Sequence, residues 1–355
     1  MGKFFSFFIF FFFISKSLAQ VDNEDIFARA RLNSVLGQDG VTPIEVKFKN
    51  GEKKLLWTFG DTILGNWKGE INTKATLNFS EIADIKSMPS NSLAMTELIG
   101  EDNYKDIVFN FYPENKKISE FIKYSIGENP FIKRMWADDG IQIKDKVYVY
   151  YMDVEVNKEK AGDFNFKGTG MAVSEVPDKP RISDFKFERI TGFYSPDILL
   201  GDCIIKKGNY IYILGRKSEK NDKILNSLIF ARVKPAKLDS YSNYEFLSSH
   251  YKWQKKEIKT FFNDVVGESS LIFDENQKLF RIIYMSISGE IKKVTFKNFK
   301  DLGNCGIETI YTPPKKENVM YYSAKEIFYT DKYLYVIYIN PSIYQPILIK
   351  VPVTK

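Results

Sequence analysis

The sequence predicts an all-β protein, a five-bladed β-propeller. Three observations carry this expectation. Helical periodicity is scarce, and residues 79–85 are among the few that read as a short helix. Short runs rich in Tyr, Ile, Val and Phe are dense, and Gly, Asn, Asp and Lys turns separate them. These runs recur as five copies of one pattern: a turn carrying an acid, an apolar strand, a polar turn and a strongly aromatic strand.

The first copy opens on Gly37-Gln38-Asp39-Gly40, runs over 41–48, turns at Lys49-Asn50-Gly51 and returns over 55–59. The second opens on Trp136-Ala137-Asp138-Asp139-Gly140, with strands over 141–143 and 147–151. Gly201-Asp202-Cys203 opens the third, with strands over 204–205 and 210–214. The fourth opens on Gly267-Glu268-Ser269, with strands over 271–273 and 279–285. Ala324-Lys325-Glu326 opens the fifth, with strands over 327–329 and 333–339. The acids stand at 39, 139, 202, 268 and 326, so successive spacings are 100, 63, 66 and 58 residues. The long first spacing implies an insertion within 68–133. Repeats of this length match propeller blades of about four strands, whose innermost strands line a central channel. A β-sandwich with Asp and Gly turns is the alternative, because both residues favour turns for conformational reasons alone. The constant place of the acid before the same strand favours the propeller.

Composition narrows the chemistry. The 355 residues carry 51 Lys+Arg and 45 Asp+Glu, a net charge of +6, with no clustered excess of the kind a nucleic-acid face needs. No nucleic-acid partner is expected. His250 is the single histidine, so a three-His zinc site is excluded and a Ser-His-Asp triad would rest on that residue alone. Two cysteines exclude a Cys-rich zinc module. No EF-hand spacing is present, and neither a metal nor a cofactor is expected.

Residues 1–19 read as a secretory signal peptide: Lys3, an apolar run over 4–14, then Ser17-Leu18-Ala19 as a cleavage site. The run is short for a membrane span of roughly 20 residues. Residues 20–355 then form one domain, expected to be a secreted or periplasmic monomer without membrane attachment after cleavage. In an oxidising compartment Cys203 and Cys305 either pair or remain two buried thiols. Asn78-Phe79-Ser80 is a glycosylation sequon.

The candidate chemistry rests on carboxyl groups. Asp39-Gly40 and Phe59-Gly60-Asp61-Thr62 form the densest pair, with Gly60 leaving the backbone free for an unusual turn. At Asp138-Asp139 only one acid should face inward, since neighbours on an extended strand point opposite ways. Register with Asp39-Gly40 selects Asp139. Glu268 is the next candidate, and Asp202 holds the matching place in the third copy. Glycoside hydrolysis needs two carboxyl groups, one protonated and one ionised, and no histidine or metal. Acids gathered in one funnel would have some pKa values raised by burial and like charge. Trp57 and Trp136 lie near these acids and could stack on sugars, although most of the 55 aromatic residues are expected to pack between strands. Lys325 and Arg216 are further candidates for substrate contact by position, whereas Asp197 reads as a turn acid.

The run Leu56-Trp57-Thr58-Phe59-Gly60-Asp61-Thr62, preceded by Asp39-Gly40 and followed by Asn91-Ser92, resembles the opening of the five-bladed propeller families of glycoside hydrolase type. Residues 136–140 and 322–326 resemble later segments of the same families, so the likeness covers roughly residues 35–345. It implies a glycosidase acting on a furanose-containing, arabinan-like polysaccharide, with Asn91, Asp202, Lys325, Trp57 and Trp136 on the substrate side. The branch resembling endo-acting D-arabinan hydrolases implies catalysis by Asp39 and Asp61. The wider arabinanase and xylosidase propellers imply Asp39, Asp139 and Glu268. The sequence departs from both at Ala137-Asp138, where relatives show Pro-Gly, and at Lys325-Glu326-Ile327, where a His is common. A non-catalytic carbohydrate-binding propeller is the competing expectation.

Overall fold

A computed structural model describes residues 22–24, 27, 34–68, 83–113, 117–157, 159, 163–218, 225–315 and 317–353. The signal-peptide reading of residues 1–19 and the sequon at Asn78 lie outside the described residues. The chain is all-β, and its helical content among the described residues is limited to short 3-10 turns.

Each of the five repeated hairpins forms, and each seeds one antiparallel sheet. The first sheet orders β3 (Thr42–Lys47), β4 (Lys53–Phe59), β7 (Ser92–Thr96) and β8 (Asn110–Phe111). The second holds β9 (Lys133–Ile143), β10 (Lys146–Val156), β11 (Phe164–Glu175) and β12 (Glu188–Pro196). The third runs β13 (Leu199–Lys207), β14 (Tyr210–Ser218), β15 (Leu225–Val233), β16 (Glu245–Leu247) and β17 (Trp253–Gln254), with β18 (Phe261–Val266) also pairing β15. The fourth holds β19 (Ser270–Asp274), β20 (Leu279–Met285), β21 (Ile291–Phe296) and β22 (Ile307–Tyr311). In the fifth, β23 (Tyr322–Tyr329), β24 (Tyr333–Asn340) and β25 (Gln345–Pro352) are completed at the outer edge by the N-terminal strand β1 (Asp22–Glu24).

The sheets pack face to face because the second strand of each hairpin is apolar on both sides. Alternate residues of a strand point to opposite faces. Leu55 and Trp57 of β4 therefore enter one core cluster with Tyr335, Ile337 and Ile339 of β24, while Leu56 enters the next with Val147 and Val149 of β10. Tyr150 and Met171 then meet Ile211, Ile213 and Ile229 of the third sheet, and Leu214 and Phe230 meet Leu271, Ile282 and Tyr284 of the fourth. Ile283 and Met285 pack on Val336 and Tyr338, which returns the order to the fifth sheet. The fifth sheet packs on the first, so the sequence of sheet contacts is cyclic. The first strands follow the same order: β3 neighbours β9, β9 neighbours β13, β13 neighbours β19, β19 neighbours β23, and β23 lies against β3.

The insertion expected within 68–133 is in part a hairpin outside this cycle. There β5 (Thr62–Trp67) pairs with β6 (Ala83–Ser87) and with β2 (Val35–Gln38) in a separate three-stranded sheet. The expectation of a helix over 79–85 fails where it is described, since 83–85 belong to β6. The hydrogen-bonding partner that makes this segment a strand is β5, which local pattern does not reveal.

Candidate active site

One cavity of about 1100 Å³ is lined by Asp39, Asp61, Arg134, Trp136, Arg216 and Glu268, together with Tyr322 and Tyr344. The residues that open the first strands bring these groups together, and the sheet register explains how. Opposite Tyr150, both Asp138 and Asp139 intervene between the paired residues Ala137 and Gly140. Gly201 and Asp202 stand unpaired between Leu200 and Cys203, and Ser323 and Ala324 interrupt the register of β23. Such bulges re-aim side chains, which is why strict alternation misreads these positions.

Asp39 and Asp61 meet through their backbones. The Gly60 amide donates to the Asp39 carbonyl at 2.9 Å, and the Asp39 amide donates to the Asp61 carbonyl at 3.3 Å. Gly60 is required by close approach, because a Cβ there would lie 2.6 Å from Oδ1 of Asp39. Tyr344 and Tyr322 donate to Oδ2 of Asp39 at 2.8 and 3.1 Å. Burial, reinforced by the charges of Asp61 and Glu268, raises Asp39 to about 8 despite the two phenols. Asp61 accepts from Nε of Arg134 at 3.0 Å and from its Nη2, both on Oδ1, which leaves Oδ2 outside the ion pair. Burial raises Asp61 to about 6, and Arg134 limits the rise.

Glu268 is held differently. Arg216 donates through Nη2 to its Oε1 at 2.9 Å and through Nε to Asp202 at 2.9 Å, while Ser323 donates to its Oε2. Gly267 has φ of 73°, and a Cβ there would fall 2.4 Å from Oγ of Ser323. Burial pushes Glu268 up, but Arg216, Lys325 and Ser323 outweigh it and hold the carboxyl below its ordinary range. Asp202 is raised to about 8 by burial, which Arg216 opposes. Lys325 donates to Thr42 at 2.6 Å and to Oδ1 of Asp138 at 3.2 Å. Burial raises Asp138 to about 6, with Lys325 opposing. Asp139 gives both oxygens to backbone amides, Gly140 at 2.7 Å and Ile204 at 2.7 Å, and burial raises it to about 7.

The charges of this buried group nearly balance, with a small negative excess from Asp139. At neutral pH the ionised carboxylates are Asp61, Asp138 and Glu268, facing Arg134, Lys325 and Arg216 respectively. Asp39 and Asp202 keep their protons, and Asp139 stands near its midpoint. A consequence is measurable. Between about pH 4 and about pH 8 the folded chain holds protons on Asp39 and Asp202 that the unfolded chain has released, so stability falls as pH rises through that window. Each such group contributes a slope of about 1.4 kcal/mol per pH unit. Thermal unfolding should give a lower Tm at about pH 8 than at about pH 5, and Asp39→Asn should flatten the trend by one group's share.

The structure brings Asp39, Asp61, Glu268, Trp136 and Arg216 to one cavity and sets the other expected site residues elsewhere. Trp57, expected to bind substrate, is a core residue. It is fully buried, donates through Nε1 to Thr96 at 2.8 Å and packs edge-on against Phe27 and Phe109. Trp57→Ala should therefore cost about 3–5 kcal/mol in denaturant unfolding and leave ligand affinity at the cavity unchanged. Asn91, also expected at the substrate, is fully buried and organises a loop. Its Oδ1 accepts from the amides of Phe121 and Ile122 at 3.0 and 2.9 Å, and its Nδ2 donates to the Met135 carbonyl at 3.1 Å. Asp202 and Lys325 lie behind the cavity wall and act on Arg216, Glu268 and Asp138. Asp139 is likewise absent from the lining, with its oxygens taken by the two amides. The fifth acid of the repeat, Glu326, pairs with both Nε and Nη2 of Arg281 at 2.6 Å, away from the cavity. Cys203 and Cys305 do not pair; they are free thiols donating to the carbonyls of Leu271 and Leu302.

Three contributors were missed by sequence: Arg134, Tyr322 and Tyr344. Arg134 had a readable signal, since it lies two residues before Trp136 and so on the same face of β9. The tyrosines had none, because they reach Asp39 from 283 and 305 residues away.

Residues 24–291 match the family described as a domain of unknown function, DUF5005. The chain belongs to the DUF5005 family. No protein of curated function matches the DUF5005 chain by sequence. Among solved structures, a protein from Bacteroides ovatus proposed to be a hydrolase superimposes with a TM-score of 0.64 at 14% identity, covering 91% of this chain and 88% of that one. At that identity the likeness is one of fold. A GH43_1 enzyme from Xanthomonas citri gives a TM-score of 0.47 at 13% identity, covering 92% and 93%. An α-L-arabinofuranosidase from Lactobacillus brevis gives 0.46 at 10%, covering 90% and 91%.

Proposed function

We propose that this DUF5005 protein is a secreted glycoside hydrolase, a five-bladed β-propeller that cleaves a furanose-containing, arabinan-like polysaccharide as a monomer. The cyclic packing of five sheets supports the blade count. The observation that carries the activity is that Asp39 and Asp61 line one cavity in unlike surroundings, Asp39 held by two tyrosines and Asp61 by Arg134, so that burial raises Asp39 to about 8 and Asp61 only to about 6. Two carboxyl groups in opposite protonation states are what acetal cleavage needs.

Asp39 is the general acid. Its proton passes to the glycosidic oxygen as the bond to the anomeric carbon breaks. Asp61 supplies the ionised carboxylate that meets the developing positive charge, through the oxygen that Arg134 leaves outside the ion pair; a water then bonds to the anomeric carbon and gives its proton to Asp39, which restores the acid. Glu268, with one oxygen on Arg216 and the other on Ser323, is a positioning residue whose charge adds to burial and Asp61 in keeping the proton on Asp39.

The test is release of new reducing ends from a panel of arabinans and other furanose-containing glycans. Wild type should cleave at least one, and Asp39→Asn none. Retention of glycan by wild type with no cleavage, unchanged in Asp61→Asn, would replace the hydrolase with a carbohydrate-binding propeller.

A further inference from the structure

The cavity has two unlike halves. The acids and arginines form one. The other is a wall built by the second sheet: Trp136 from β9, Met152 and Val156 from β10, and Phe164 and Phe166 from β11, with Phe131 just before β9. Trp136 joins the halves, since it lies two residues from Arg134 on the same strand. The three ring pairs among Trp136, Phe164 and Phe166 have centroids 5.1 to 6.1 Å apart at interplanar angles of 73° to 80°. Rings locked edge to face make a continuous hydrocarbon surface. The polar residues at its far end are engaged with each other, Asn157 donating through Nδ2 to Asp163 at 3.2 Å. A polyol pressed against this wall would lose water from hydroxyls that find few partners there.

Resting on the hydrolase reading, we infer that the furanose-containing glycan it cleaves is amphiphilic: the sugar lies at Asp39 and Asp61, and an aryl or alkyl group attached to the glycan fills the wall of the second sheet. Removing such a group from water is favourable in proportion to the apolar area covered. The exposed Phe131, at 76% of its free surface, marks where that group would enter.

Two arms separate this inference from the reading it rests on. The first titrates the neutral apolar dye N-phenyl-1-naphthylamine into wild type, Phe166→Ser and, should that variant not fold by circular dichroism, the surface variant Phe131→Ser. The second measures displacement of the dye, and cleavage, using 4-nitrophenyl and methyl α-L-arabinofuranosides and unsubstituted arabinan. Saturable dye binding, weakened at least about tenfold by the substitution and displaced by the aryl but not the methyl furanoside, is the expected result. Wall-dependent dye binding with no cleavage of any glycoside keeps the apolar subsite and sinks the hydrolase. Cleavage of arabinan unaffected by the substitution, with no saturable dye binding, overturns the inference and keeps the hydrolase. Neither binding nor cleavage overturns both.

Discussion

Asp39→Asn and Asp61→Asn should each lower kcat by about 10³-fold, within the range that a positioned proton-transfer group supplies. The two losses should differ in their dependence on pH. Activity needs Asp39 protonated and Asp61 ionised, so wild type should show a bell, falling on the acid side near 6 and on the basic side near 8. The limbs belong to the coupled group and not to isolated side chains. Glu268→Gln removes one of the charges that raise Asp39, so the basic limb should move to lower pH while the fold is retained. A merely structural role for Glu268 would lower activity equally at all pH values. Plots of kcat/KM against pH for the three variants check each point.

Arg216→Met should be the most damaging change to stability at the site. Arg216 is 2% exposed and serves two acids, Asp202 at 0% and Glu268 at 7%. Removing it leaves Glu268 buried as an unpaired charge, and breaking such a pair costs about 3–5 kcal/mol. The cost should shrink in acid, because Glu268 is held below its ordinary range chiefly by Arg216 among the groups that oppose burial and can take up a proton once that cation is gone. Denaturant unfolding at two pH values measures both effects. An Arg216→Met protein as stable as wild type would mean that the acids are not held as described.

Much of the fold was legible because hairpins announce themselves locally. Alternating aromatic strands such as β20 and β24 carry their own period, and every second-strand run in the sequence is a strand of the structure. Asp39, Asp61 and Glu268 were legible for a related reason: each is fixed by neighbouring glycine, Gly40, Gly60 or Gly267, where the backbone must turn or approach closely. The failures fall where distant strands decide. Trp57 and Asn91 look like site residues in a linear motif, yet the side chain of Trp57 points to a core shared with the fifth sheet. Alternation lets only one of Asp138 and Asp139 face inward, but a bulge breaks the register at those two residues and neither lines the cavity. Asp139 sits close to the expected place, but amides from its own turn and from Ile204 of β13 occupy it.

One measurement reaches the centre of the account: carboxyl ¹³C NMR on aspartate-labelled protein, with wild type beside Asp39→Asn and Asp61→Asn. Of the two aspartate protons held near pH 8, on Asp39 and Asp202, one should vanish only in Asp39→Asn, and of the two near pH 6, on Asp61 and Asp138, one should vanish only in Asp61→Asn. Aspartates that all release their protons below about pH 5, alike in the three proteins, would contradict it.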